Sequence, residues 1–301
     1  MTISPTAAIV VGVDGSSQCM RAVDWATREA VARRSPLRIV HAFLWPLLNV
    51  PVGPAAGGPP DAGLANAAED ILAAAADRAR RAAPALEIST DLPVCSPAAA
   101  LIEASHDAGL VVVGHRGLGG FTGLLVGSVG VQTAAHASCP VVVVRGSNPG
   151  EPGPAAGHVL VGVDGSPLSH LAVDFAFSHA ALRGRSVAAL HVHQRPEFTV
   201  PGDQPLPGPD GEDPRDYETR MLTDALAGYA EKYPEVPVHR KIVSGRPTEV
   251  LVAESAGAAL TVVGSRGRGG FAGLLLGSTS QTVLQYAAGP VAVVRAQNRR
   301  G

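Results

Sequence analysis

Short apolar runs alternate along the chain with longer stretches in which apolar residues recur every three or four positions. This alternation predicts βαβ units and a parallel sheet covered by helices. The run Leu110-Val-Val-Val113 is apolar throughout, as expected of a central strand buried on both faces. In the first half, strands are predicted near 7–13, 37–43, 86–92, 110–113 and 140–144. Helices are predicted near 18–33 behind the candidate caps Ser16 and Ser17, up to about 82, from Pro97, and near 128–137.

The same pattern occurs a second time at a constant shift of 150 residues. Val11-Gly-Val-Asp-Gly-Ser16 recurs as Val161-Gly-Val-Asp-Gly-Ser166, and 11 of the 15 positions in 114–128 are identical to those in 264–278. Such a period is much longer than the repeat unit of a solenoid. We therefore predict two complete domains, 1–146 and 158–301, joined by a linker at 147–157 that is rich in Gly, Pro and Ala.

Composition excludes several classes of protein. Hydrophobic residues make up 46% of the chain and charged residues 17%, so each half can bury a core. The net charge of −2 and the absence of basic blocks argue against nucleic-acid binding. No basic leader begins the chain, and no apolar run approaches the ~18 residues of a membrane span, so we expect a cytoplasmic protein without membrane insertion. Three cysteines without a CxxC pair are interpreted as buried or half-buried hydrophobes: Cys19, Cys95 and Cys139.

A glycine-rich segment follows the fourth predicted strand of each half. It reads Gly114-His-Arg-Gly117, nine residues and Gly127-Ser128, and then Gly264-Ser-Arg-Gly267, nine residues and Gly277-Ser278. Between a parallel strand and a helix, main-chain N–H groups and the helix dipole can hold phosphate. The sequence predicts a main-chain cradle for a triphosphate in each half, although glycines can also simply turn the chain. Each segment contains further glycines, at Gly119, Gly120, Gly123, Gly269, Gly270 and Gly273.

The charges that would accompany this cradle are few. Neither segment contains lysine or the GxxxxGK[ST] pattern, so Arg116 and Arg266 are the expected partners of the phosphates. Arg268 adds a charge where the first half has Leu118, and a divalent cation such as Mg²⁺ could also neutralise the phosphates. Finally, Asp14 and Asp164 lie at the end of the first predicted strand of their halves. Each could hydrogen-bond to ribose or base, help hold a cation, or cap the following helix.

These motifs together resemble the universal stress proteins, in particular their tandem-domain, ATP-binding type. The resemblance rests on the Val-Gly-Val-Asp-Gly-Ser opening, the Gly-x2-Gly-x9-Gly-Ser loop, His41 and His191 late in the second strand, and Cys139-Pro-Val. It implies an α/β fold of two tandem Rossmann-like, adenine nucleotide alpha hydrolase-like domains. Each would be a five-stranded parallel sheet of order 3-2-1-4-5 flanked by helices. It further implies ATP as ligand, a homodimer and an unidentified regulatory protein partner.

The resemblance also implies which residues of this chain would contact the nucleotide. In the first half, sugar and base would meet Gly12, Val13, Asp14 and Ala42. The phosphates would meet Gly114, His115, Arg116, Gly117, Gly119, Gly120, Gly127, Ser128 and Val129. The corresponding set in the second half is Gly162, Val163, Asp164, Val192, Gly264, Ser265, Arg266, Gly267, Gly269, Gly270, Gly277, Ser278 and Thr279.

Two functions could use such a pocket. We favour a regulator that binds ATP in both domains with little or no turnover, because no Ser-His-Asp order or pair of catalytic carboxylates is evident. The resemblance sets it in stress adaptation such as hypoxia, dormancy or growth control. The alternative is a slow ATPase or a nucleotidyl-transferring enzyme.

Other features are interpreted structurally. His191 and His193 could chelate a metal, but Phe43 stands at the second position in the first half, so core or edge histidines are favoured. Trp25 and Phe175 occupy equivalent helix positions and are predicted to be core residues. The Pro/Gly-rich loops near 46–62 and 196–214 would be linkers, with a lid or docking role as the alternative.

Overall fold

Two compact units make up the computed structural model, which describes residues 7–43, 62–117, 126–145, 157–193, 214–268 and 275–296. One unit comprises Met1–Gly146 with Ala296–Gly301, and the other comprises Ser147–Arg295. Apart from Ala296–Gly301, which are grouped with the first unit, the division falls at the end of the first repeat. Four sequence features lie outside the described residues, entirely or almost so: the two Pro/Gly-rich loops, the linker, Leu118, and the inner glycines of both phosphate segments.

The first unit is a parallel five-stranded sheet. Its strands pair in the order β3-β2-β1-β4-β5, and every pairing is parallel. The strands are β1 (Ala8–Gly12), β2 (Leu37–Val40), β3 (Ile88–Asp91), β4 (Ala108–Gly114) and β5 (Val141–Val144). The helices are α1 (Ser17–Arg33), α2 (Ala62–Ala82), α3 (Pro97–Ala104) and α4 (Ser128–His136).

The second unit repeats this arrangement with parallel pairing in the order β8-β7-β6-β9-β10. Its strands are β6 (His158–Gly162), β7 (Val187–His193), β8 (Val238–Ser244), β9 (Ala258–Gly264) and β10 (Val291–Val294). Its helices are α5 (Pro167–Arg183), α6 (Pro214–Ala225), α7 (Tyr229–Lys232), α8 (Pro247–Glu254) and α9 (Ser278–Tyr286). The predicted parallel α/β class is therefore confirmed.

The core of each unit lies on both faces of its central strands. Six of the seven residues of β4 are buried, which confirms the prediction from its apolar run. Trp25 and Phe175 are buried in their helices, as predicted. Cys19 and Cys139 are buried and Cys95 is half-buried, which agrees with their interpretation as small hydrophobes. None of the described helices combines the length and apolarity needed to cross a membrane.

The turn after β1 is built by three consecutive residues. Asp14 Oδ1 accepts a hydrogen bond from the Ser16 main-chain N–H at 3.0 Å. Gly15 has a φ of 84°, a left-handed conformation that favours glycine. Ser16 is the N-cap of α1, and its Oγ accepts from the Cys19 N–H at 3.1 Å. Because Ser16 caps the helix, the capping role considered for Asp14 is excluded, and the second unit repeats this turn.

Candidate functional sites

Each unit has a cavity at the carboxyl ends of its central strands, where open parallel sheets bind ligands. The cavity of the first unit has a volume of about 410 Å³ and that of the second about 650 Å³. The first is lined by Gly12, Val13, Asp14, Ala42, Gly114, Arg116, Gly117, Gly127, Ser128 and Val129. The second is lined by Gly162, Val163, Asp164, Val192, Gly264, Arg266, Gly267, Gly277, Ser278 and Thr279. The chain fold thus brings together the described candidate residues of each half, except His115 and Ser265.

One end of each cavity is the N-terminus of a helix. Gly127 is the N-cap of α4 and Gly277 the N-cap of α9, and neither helix has a side-chain capping bond. A glycine cap supplies no oxygen acceptor, so the N–H groups of the first turn remain available to an anion. This contrasts with α1, whose first turn is closed by the Ser16 hydroxyl. The helix N-terminus in each cavity is therefore the end suited to phosphate.

The glycine-rich segment is held at both ends by main-chain hydrogen bonds. The His115 N–H donates to the Val144 carbonyl at 3.0 Å, and the His115 carbonyl accepts from the Gly127 N–H at 2.8 Å. Ser265 makes the same two bonds, to Val294 and Gly277, at 2.7 and 2.8 Å. These bonds need no particular side chain, which explains how His115 and Ser265 can differ between the copies.

The second glycine of each segment lies against the aspartate of the same unit. A Cβ added to Gly117 would overlap Asp14 Oδ2, and one added to Gly267 would overlap Asp164 Oδ2. In the second unit the Arg268 N–H also donates to Asp164 Oδ2 at 2.9 Å. These glycines are required because a carboxylate of the same chain approaches the backbone there, a reason that the spacing of the glycines did not reveal.

The aspartate in the second unit is stabilised in its ionised form. Burial alone would raise the pKa of Asp164, but hydrogen bonds from Ser166, Arg268 and Ser169 outweigh burial and lower the pKa below its ordinary value. An ionised carboxylate therefore lines the cavity after β6, the strand between β9 and β7.

Two arginines that sequence reasoning missed add positive charge near the phosphate end. Burial and the charge of Arg116 lower the pKa of Arg145 to about 10. Burial and the charge of Arg266 likewise lower the pKa of Arg295. Both arginines directly follow the last strand of their unit, at the sheet edge that carries the cavity. Their position in the sequence, repeated at the same shift, was the available signal.

The charge of this cluster also acts on a histidine. Burial, followed by the charges of Arg145, Arg116 and Arg21, lowers the pKa of His115 to about 4. Cations that depress the pKa of neighbouring bases are crowded together, and an anion bound among them would relieve their repulsion. The electrostatics of the first unit therefore agree with the main-chain geometry of its helix N-terminus.

At the other end of each cavity, a histidine ring contacts a main-chain carbonyl oxygen. His41 Nδ1 lies 2.7 Å from the Val13 carbonyl oxygen, and His191 Nδ1 lies 2.7 Å from that of Val163. In the second unit, Glu218 Oε2 lies 2.6 Å from the other ring nitrogen, His191 Nε2, and no such contact is found for His41 among the described residues. No motif pointed to Glu218. Within the described ranges, no group of three or more His, Cys, Asp and Glu side chains could hold a metal ion.

Comparison with known proteins gives a consistent result. A model of the universal stress protein family matches residues 6–145 and 156–295. A universal stress protein of Mycolicibacterium smegmatis is 38% identical over 299 residues, which cover 95% of this chain and 96% of that protein. One from Mycobacterium tuberculosis is 38% identical over 292 residues, with 95% and 96% covered. The crystal structure of a universal stress protein from Archaeoglobus fulgidus aligns with a TM-score of 0.70 at 21% identity, covering 96% of this chain and 98% of that one.

Proposed function

Because the chain belongs to the universal stress protein family, we propose that it is an ATP-binding regulator of stress adaptation that holds one ATP in each domain. The observation that carries the proposal is a cavity, present in both domains, with a helix N-terminus and arginines at one end. Hypoxia, dormancy and growth control are the expected settings. ATP occupancy would alter the affinity for a second copy of the chain or for a regulatory protein.

The phosphate end of the first cavity supports a polyanionic ligand. The uncapped first turn of α4 supplies N–H donors, and Arg116 lines the cavity beside it. Arg145 contributes charge from the neighbouring strand end, as its interaction with Arg116 indicates. Mg²⁺ would be held largely by the triphosphate itself, with Asp14 as the nearby protein carboxylate.

The remaining wall of the first cavity suits a nucleoside. Pro97, Ala100 and Leu101 of α3, together with Val40, supply an apolar surface for a base. Asp14 follows β1, the strand that lies between β2 and β4, and there it can accept hydrogen bonds from ribose hydroxyls. The first cavity thus offers an apolar, a carboxylate and a cationic surface, as base, sugar and phosphate require.

Regulation without substantial turnover follows from the few groups available for proton transfer. Among the described residues that line the first cavity, Asp14 is the one carboxylate, and its Oδ1 already accepts the Ser16 N–H. His41 directly follows β2, which lies on the far side of β1 from β4, so the histidine is at the end of the cavity away from the phosphates. A general base for attack by water requires a group free to take a proton at the γ-phosphate. We therefore expect binding to outlast hydrolysis.

The bound ligand can be identified directly. We expect the protein, purified without added nucleotide and then denatured, to release an adenine nucleotide that chromatography and mass spectrometry identify. Calorimetric titration of nucleotide-free protein with ATP should give two sites per chain. Absence of both released nucleotide and ATP affinity would contradict the proposal.

The two sites can be removed one at a time. Asp14→Glu combined with Gly117→Ala places bulk where loop and carboxylate meet, so it should abolish ATP binding in the first domain and leave one site per chain. Asp164→Glu with Gly267→Ala should do the same in the second domain. Gly63→Ala, where no atom lies within 4 Å of the added Cβ, is the matched control and should retain two sites. Two remaining sites in either double variant would show that the sites are wrongly assigned.

A further inference from the structure

The two cavities differ at the end farthest from the phosphates. Glu218 of α6 lines the second cavity, and its Oε2 lies 2.6 Å from His191 Nε2. At the shift of 150 residues, the first domain has Ala68 at this place, with 3% of its surface exposed. Histidine is common to both domains, at His41 and His191. Val192 and His193 also stand where the first half has Ala42 and Phe43, but of these differences Glu218 alone adds a carboxylate.

The contacts of His191 fix the position of this glutamate. A carbonyl oxygen can only accept a hydrogen bond, so His191 Nδ1 carries a proton and donates it to Val163. On the other side of the ring, Glu218 Oε2 lies 2.6 Å from Nε2, although the two atoms do not meet the geometry of a hydrogen bond. Oε2 is buried, whereas 21% of the Glu218 side chain is exposed, so the exposed part does not include Oε2. One carboxylate oxygen therefore lies against His191, and the side chain still borders the cavity.

The order of the strands assigns this end of the cavity to the base. The phosphate end lies at β9 and α9, Asp164 follows β6, and His191 lies in β7. β6 pairs with both β9 and β7. Neighbouring strands are about 4.8 Å apart, so β7 lies about 10 Å across the sheet from β9. That separation matches the distance from phosphate to base in a nucleotide, with the sugar at Asp164.

We propose that Glu218 determines base specificity in the second site, where its carboxylate accepts a hydrogen bond from the exocyclic amino group of adenine. The inference rests on the proposed function. Hypoxanthine carries a carbonyl oxygen in place of that amino group, so two acceptors would face each other in a partly buried place. A site built around a hydrogen bond rejects an analogue that lacks it. The first site, with Ala68, discriminates less between the two bases.

The test compares ATP with inosine triphosphate at each site separately. The second site is measured in the Asp14→Glu, Gly117→Ala protein and the first in the Asp164→Glu, Gly267→Ala protein, by calorimetry. We expect the ratio of dissociation constants, inosine triphosphate over ATP, to be about tenfold larger at the second site than at the first. An equal ratio at the two sites would overturn the inference.

Two substitutions then test the residue itself. Glu218→Gln keeps the shape and supplies both a donor and an acceptor, so the ratio at the second site should fall toward that of the first. Ala68→Glu places a carboxylate opposite His41 and should raise the ratio at the first site. A purely structural role for Glu218 would weaken both nucleotides alike and leave the ratio unchanged.

The outcomes separate the two proposals. If both sites bind ATP and Glu218→Gln leaves the ratio at the second site unchanged, Glu218 does not select the base although the protein binds ATP. If neither site binds ATP, both proposals are wrong. Because Ala68 is buried, Ala68→Glu is checked by its thermal unfolding midpoint, and the Glu218→Gln result holds whether or not that variant folds.

Discussion

Among individual residues, His115 shows how the positive charge of the first site affects the protein that carries it. Its pKa lies near 4 in the folded domain, compared with 6.5 for an ordinary histidine, because burial and three arginines disfavour its charged form. Between these two values the unfolded chain binds more protons than the folded one. The histidine therefore lowers stability as the pH falls from about 6.5 toward 4, and this cost is absent above pH 6.5.

We expect His115→Gln to make the free energy of unfolding depend less steeply on pH between about 4 and 6.5. The free energy of unfolding of the first domain, followed by amide hydrogen exchange between pH 4 and 7, should fall less steeply in the variant than in the parent protein. Carboxylates titrate in the same window, so the difference between the two proteins is the quantity to compare. His136→Gln alters an exposed histidine of the same domain and serves as the comparison; an equal flattening in both variants would contradict the assignment.

The residues of the site were predictable to different degrees. Gly117, Arg116 and Asp14 stand in motifs with fixed spacing, so the sequence alone could suggest them. Glu218 gave no such signal, because it approaches His191 from a different element, α6, and matches Ala68 in the other copy. A contact between residues far apart in sequence becomes visible only when the elements are packed together.

At the scale of elements, the caps of the helices separate structural from ligand-binding roles. The Ser16 hydroxyl satisfies the first turn of α1, whereas the glycine caps of α4 and α9 leave their first turns to an anion. An acidic cap would stabilise such a helix and compete with phosphate for the same N–H groups. Stability of the free protein and affinity for ATP therefore oppose each other at these two positions.

This opposition can be measured at Gly127. Its φ of −66° suits any residue, and an added Cβ would meet no atom closer than 3.7 Å, so substitution is tolerated. We expect Gly127→Asp to hold or raise the stability of the nucleotide-free protein and to weaken ATP binding at the first site by about tenfold or more. Gly127→Asn caps the helix without the charge and should weaken ATP binding less. Equal affinities in both variants would mean that phosphate does not bind at this helix.

Element lengths were harder to predict than element types. The apolar pattern predicted a second strand over 37–43, but β2 ends at Val40, whereas β7, its counterpart, continues to His193. The neighbouring strand accounts for the difference, since β3 pairs through Asp91 and the longer β8 pairs through Ser244. The end of a strand depends on the register of its partner, which its own sequence does not contain.

For the whole molecule, two independent sites imply two separate gains in stability. ATP at one hundred times its dissociation constant should add about 2.7 kcal/mol to each domain that binds it. In amide hydrogen exchange, this corresponds to about 100-fold slower exchange in β1 and β4 of the first domain and in β6 and β9 of the second. The Asp14→Glu, Gly117→Ala variant should lose the effect in the first domain only. If ATP slowed amide exchange in only one domain of the parent protein, two-site binding would be contradicted.

The main-chain bonds that close each glycine-rich segment have a consequence for how the two copies can diverge. Because His115 and Gly127 are joined through backbone atoms, this bond itself demands no particular side chain at the positions between them, although Gly117 is fixed by its contact with Asp14. Leu118 in one copy and Arg268 in the other differ at one of these positions. After a gene duplication, this closure lets each copy accumulate its own response to a ligand while the inherited architecture stays intact.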